Sequence, residues 1–251
     1  MSMASAESSL RAERAFLGTT ALLFALSAAV TVYGCRSMSM PWMWMPGQSG
    51  LSTVAGFLGM WLAMMAAMML PSLLPMLWRY RRAVGRAGAT RLGALTALVG
   101  VGYFAVWGAF GMAAFALGVA MDAVETRVPA IARVIPFAVV VLFLVAGVLQ
   151  FSAWKARHLA CCRAIPERDR ALPADAGTAW RQGLRCGLHC SYSCAGLTAV
   201  LFGLGVMDPR AMAVVAVAIS LERLAPGAQR LARVIGAVVL GAGLLLLVRA
   251  V

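Results

Sequence analysis

The sequence predicts an all-α fold, a bundle of apolar helices crossing a lipid bilayer about seven times, or six in an alternative count. Three observations predict it. Of the 251 residues, 62% are hydrophobic and 12% charged, with a mean hydropathy of +0.86, whereas a soluble domain carries about 25% charged residues. The charges fall in short clusters between apolar runs, and these runs approach or exceed the ~20 residues that a helix needs to cross a ~30 Å hydrocarbon core. The runs are also continuous, unlike the ~10-residue alternating strands of a membrane barrel. In lipid, only helices and closed barrels satisfy their own backbone hydrogen bonds.

Taken in order, the spans are 15–33, 51–78, 93–120, 130–151, 185–206, 209–225 and 231–248. The first follows Arg11 and Arg14 and has a signal-peptide alternative, but it is long for one and no Ala-x-Ala site follows. The second contains Pro71 and Pro75, which remove backbone donors and bend the helix, and such bends in membranes often lie beside a site. Pro129 can open the fourth, and Asp208-Pro209 is a cap-and-first-turn start for the sixth. Pro226-Gly227 separates the last two. This gives a cytoplasmic tail over 1–14 and one transmembrane domain over 15–251. That domain has an outer Met-rich loop at 34–50 and a basic cytoplasmic loop at 152–184.

Orientation follows from the basic residues. With the N-terminus in the cytoplasm, 17 of the 22 Lys and Arg residues fall on the inside, as the positive-inside rule requires. The net charge of +13 therefore reflects loops facing anionic lipid, which excludes nucleic acid as the partner. No Walker loop, dinucleotide fingerprint, HExxH or serine nucleophile elbow is present, so ATP-driven pumping is not expected of this chain.

Candidate chemistry lies in the sulfur residues. Four of 16 Met lie between Met38 and Met45, including Met40, Met43 and Met45, among Trp42 and Trp44. Thioethers suit Cu(I) and survive oxidising compartments, although an interfacial apolar turn reads the same way. In the second span Met60, Met64 and Met68 share one helix face, with Met65 and Met69 on the next, and this pattern fits either ligands or packing. In the fifth, Cys186, Cys190 and Cys194 form a stripe at i, i+4, i+8 with His189 beside it. Thiolate with imidazole holds Zn(II), Cu(I) or iron–sulfur clusters, but Cys is also a small residue suited to close helix contacts.

Glu222 lies at the end of an apolar run beside Arg223. It reads as an intramembrane functional carboxylate or as a terminal ion pair with a snorkelling arginine. Depth connects these groups. At ~1.5 Å per residue, Met68 lies about 25 Å below the outer end of its span, and Cys190 and Cys194 about 8 and 14 Å above the inner end of theirs. Glu222 lies about 20 Å below its outer end, so all can meet in the cytoplasmic half if the spans are neighbours. His158, Cys161 and Cys162 form a further Cys/His-bearing edge that reads as a metal relay or a basic loop with spare thiols.

Two stretches carry a resemblance. Trp61-x-x-Met64-x-x-Ala67-Met68-Met69-x-Pro71-Ser72-x-x-Pro75 is similar to the signature of the bacterial predicted metal-binding integral membrane proteins, a family of uncharacterised domains. Gly187-Leu188-x-Cys190-x-x-x-Cys194, leading to Phe202-x-x-Gly205-Val206-Met207 and Glu222-Arg223, resembles it as well, as do Gln150, Lys155 and Cys162. The resemblance implies a multi-pass metal-binding protein of the bacterial inner membrane. The metal it points to is copper, with zinc an alternative, and it links some relatives to copper-dependent membrane oxidation systems. The chain departs from the pattern where tandem Cys followed by Trp is usual, having Ser193-Cys194-Ala195, and it has Cys186 where His is usual.

The expected function is copper handling, by delivery, sequestration or support of an oxidation system. The expected soft ligands are Met64, Met68, Met69, Cys190 and Cys194, with Glu222 as a hard ligand or proton acceptor. Cys186, His189, Met40, Met43 and Met45 are secondary candidates. The expected partners are the lipid bilayer and another membrane or periplasmic metal-handling protein. A metal-free assembly or scaffold subunit and a copper-containing membrane oxidoreductase are the alternatives, and the sequence does not decide whether the chain is an enzyme.

Overall fold

A computed structural model of the chain describes residues 3–37, 50–86, 91–128, 133–163, 173–205 and 208–250. The described residues form eight helices and no strand: α1 (Met3–Ser37), α2 (Gly50–Arg86), α3 (Leu92–Arg127), α4 (Ile135–Gln150), α5 (Ala153–Arg163), α6 (Ala176–Leu204), α7 (Pro209–Leu224) and α8 (Ala228–Ala250). Five of them are long and apolar enough to cross a membrane, and α4 with α5 makes a sixth if that bent pair counts as one span. The sixth span read from the sequence corresponds to α7, which has 16 residues and is therefore about 24 Å long, short of a full crossing.

Two close seams organise the bundle. Along the first, α3 and α6 meet through glycines. A Cβ on Gly183 would overlap the Val99 carbonyl, and one on Gly102 or Gly187 would lie 2.9 Å from the carbonyl of Trp180 or Tyr103. Small residues let membrane helices approach this closely, and dispersion contacts then hold them without a hydrophobic driving force. The second seam joins α4 and α8, where a Cβ on Gly236 would lie 2.7 Å from that of Gln150. Buried Met65, Met69, Leu73, Tyr80, Val99, Tyr103, Leu201 and Ile219 fill the interior between α2, α3, α6 and α7.

Helix ends follow local chemistry. Asp208 accepts from the Arg210 N–H at 2.8 Å with Pro209 in the first turn, as the sequence predicts. Pro129 lies outside the described residues, and α4 opens instead at Ile135 with Pro136 in its first turn. α2 continues through both Pro71 and Pro75.

The connection expected at 152–184 differs most. It is not a loop throughout, because it holds α5 and the first turns of α6. Asp175 caps α6 by accepting from the backbone N–H and the hydroxyl of Thr178, at 2.8 and 2.7 Å. That starts the helix nine residues before the 185 expected from hydropathy alone. Ser152 makes the turn from α4 into α5, donating to the Leu149 carbonyl at 2.6 Å and accepting from the Lys155 N–H at 3.1 Å. One hydroxyl thus serves both helix ends, and the axes bend by 67° there. The bend carries Lys155 inward, where it is 4% exposed.

Candidate metal centre

α6 supplies the sulfur stripe. Its α3 seam fixes the rotation of the helix and buries Cys190 and Cys194 on the inner side. Tyr103, beside Gly102 of that seam, places its hydroxyl 2.7 Å from Cys190 Sγ. On the α2 side the Met69 thioether lies 4.0 Å from the same thiol. Cys194 Sγ donates to the Cys190 carbonyl at 2.9 Å, so the two thiols sit one turn apart on a common face.

α7 delivers the charge. Arg223 is oriented by Nη2 donating to the Cys190 carbonyl at 3.2 Å and to Ser193 Oγ at 3.0 Å, and by Nη1 donating to Ser72 Oγ at 3.2 Å. Nη2 also lies 3.8 Å from the Cys162 sulfur of α5. A planar guanidinium with five donors suits this four-helix junction, which a compact ammonium would serve less well. Its neighbour Glu222 points the other way and meets Lys155 of α5 at 2.6 Å, both nearly fully buried. Gln150 stands beside that carboxylate. Glu222 Oε1 and both Gln150 amide atoms are buried with no hydrogen-bond partner among the described residues.

The predicted residues are therefore sorted by this geometry. Cys190, Cys194 and Met69 come together, with Glu222 in the adjoining ion pair. The pairing of Glu222 with Arg223, one of its two sequence readings, does not form, because Lys155 takes the carboxylate and Arg223 turns to the sulfurs. Met64 and Met68 are buried in the same core, but the thioether at Cys190 is Met69, on the neighbouring face of α2. Cys186 is 4.0 Å from Met76 and accepts from Gln182 at 3.4 Å. His189 meets His158 of α5. Met40, Met43 and Met45 lie outside the described residues. Among the described residues, no three side chains of His, Cys, Asp and Glu stand together as a metal-holding group.

The donor set has a definite chemistry. Two thiols and a thioether are soft ligands of the kind that select Cu(I), and methionine completes a set that the thiols alone leave at two. The sequence reading missed Tyr103, Ser72 and Ser193. The Gly183-x-x-x-Gly187 spacing signals the close seam that positions Tyr103.

Comparison with known proteins agrees with this chemistry. No curated protein and no solved structure matches the chain. A family described as "PpoB2: Copper chaperone" matches residues 58–246, a stretch that contains all of the motifs from Trp61 to Glu222-Arg223 and agrees in its description with a metal-binding protein. Since the match covers well over half of its length, the chain belongs to the PpoB2 copper chaperone family.

Proposed function

We propose that this protein is a multi-pass inner-membrane chaperone that holds Cu(I) on Cys190, Cys194 and Met69 and passes it to another membrane or periplasmic metal-handling protein. One observation carries the reading: two buried thiols lie a helical turn apart, with a thioether against the Cys190 thiol and a guanidinium fixed on the Cys190 carbonyl. Charge balance supports it. Lys155 and Glu222 cancel, leaving the positive charge of Arg223. A Cu(I) ion on two thiolates carries one net negative charge, which that guanidinium offsets in a low-dielectric setting where an unbalanced charge is costly.

Copper is the cargo here, and it would displace thiol protons as it binds. Met64 and Met68 add thioethers on the adjoining face of α2, and the Met-rich segment at 34–50 supplies donors of the same class for capture. The basic-residue count supports a cytoplasmic N-terminus, and seven crossings follow if α7 and the bent α4–α5 pair each cross with their neighbours.

The experiment is metal analysis of detergent-purified protein prepared under reducing conditions. The reading expects stoichiometric copper in the wild type and loss of the sulfur-bound share of it in Cys190→Ser. Absence of copper from the wild type, together with unaltered behaviour of Cys190→Ser and Cys194→Ser, would favour the metal-free scaffold and overturn it.

A further inference from the structure

A second group of metal-binding side chains lies on the α5 side of the centre. His158 of α5 and His189 of α6 meet Nδ1 to Nδ1 at 3.0 Å, with ring centroids 5.3 Å apart and planes at 38°. The ring of His158 is also in contact with Trp154 at 4.7 Å and Tyr192 at 5.1 Å. Both histidines are only partly buried.

Two neutral imidazoles that meet through Nδ1 share a single proton, donated by one ring to the lone pair of the other. Two lone pairs aimed at one point from separate helices are also what a two-coordinate ion needs. Each histidine lies close in sequence to a cysteine of the centre. His189 precedes Cys190 in the chain, and His158 lies one helical turn from Cys162, whose Sγ is 3.7 Å from Ser193 Oγ and 3.8 Å from Arg223 Nη2.

We propose that His158 and His189 form a second Cu(I) site, an exchange station from which copper passes to and from the buried thiols. The proposal rests on the copper reading given above. Imidazole binds copper, while thiolate is the softer ligand, so affinity rises from the half-buried pair toward Cys190 and Cys194. Cys162, one helical turn from His158 and beside Arg223, serves as a transient third ligand.

The step is ligand exchange, and copper remains Cu(I) throughout. As the ion enters, the shared proton moves from Nδ1 to Nε2 of the same ring through solvent. Both Nδ1 lone pairs then face the metal, with no net proton lost. On transfer inward, each thiol that becomes a thiolate gives its proton to water, and the Nδ1–H···Nδ1 contact reforms. Bridging requires the two nitrogens to separate to about 4 Å, twice an imidazole–metal bond of about 2 Å. Small rotations of two partly exposed rings provide this.

The test is titration of the reduced, full-length protein in detergent with Cu(I), against a colorimetric Cu(I) chelator. His158→Ala and His189→Ala are each expected to bind one equivalent fewer than the wild type. His158→Gln, which keeps bulk beside Trp154 and Tyr192, should lose the same equivalent. The double variant Cys190→Ser/Cys194→Ser should keep one equivalent, and its X-ray absorption should show nitrogen ligands. If all the histidine variants bind as much copper as the wild type, or if the copper left in the double variant has no nitrogen ligand, the exchange station is overturned while the chaperone reading stands. If the wild type itself binds no copper, both fail.

Discussion

Two adjacent residues of α7 head two different halves of the centre. On one side Glu222 meets Lys155 at 2.6 Å beside Gln150, so the charges cancel. On the other side Arg223 faces Cys190, Cys162 and Ser193 with no carboxylate opposite it among the described residues. The ionic half is closed, whereas the sulfur half has a positive charge that a metal–thiolate group can balance. A buried ion pair contributes little net stability but is costly to break. Under the proposed function, Lys155 and Glu222 have a structural role and the cysteines bind the cargo, with Arg223 coupling the two.

The largest effect expected is on the sulfur side. Cys190→Ser combined with Cys194→Ser should abolish thiol-bound copper while leaving the fold intact, because both replacements keep size and a hydrogen-bonding group. Circular dichroism and copper analysis on the same sample check both parts. Next comes the ionic side. Lys155→Met strands the Glu222 carboxylate and should cost about 3–5 kcal/mol, read as a lower unfolding midpoint in detergent. Adding Glu222→Leu should restore most of that loss, and failure of the double variant to recover would show that the pair does more than hold the helices.

Arg223→Gln tests the coupling. Groups that support metal ligands without binding the metal typically account for about 10–100-fold in affinity, and a loss of that size in competition with a chelator is expected. An unchanged affinity would separate the two halves. The smallest effect lies at the start of α6. Hydrogen bonds from Thr178 hold the Asp175 carboxyl below the usual carboxylate range. The cap therefore contributes fully above the ordinary Asp titration near about 3.9, and the contribution falls away as pH drops through the lowered value. Asp175→Ala should lower the unfolding midpoint slightly at neutral pH and remove this acid dependence.

Much of this was legible in the sequence, for identifiable physical reasons. Apolar runs give membrane-length helices because lipid leaves the backbone few alternatives, and α1, α2, α3, α6 and α8 meet that test. The i, i+4 spacing placed Cys190 and Cys194 on one face, and depth along the bilayer put Met, Cys and Glu at a common level. Sequence periodicity left helix rotation open, so Met68 was as good a candidate as Met69. Hydropathy also concealed α5, which is basic in composition yet turns Lys155 into the core. Partners across helices, such as Tyr103 with Cys190 and Lys155 with Glu222, depend on which helices are neighbours, and span order does not determine that. Local signals for some of these features were nevertheless present. Asp175 with Thr178 marks the helix start, and Gly183 with Gly187 marks the close seam.

The central claim is that the buried cysteines hold the cargo, and copper K-edge X-ray absorption of the purified, reduced protein tests it most directly. Sulfur-dominated Cu(I) coordination is expected in the wild type and should disappear in Cys190→Ser/Cys194→Ser. A copper spectrum with no sulfur ligand, or one unchanged by that double substitution, would contradict it.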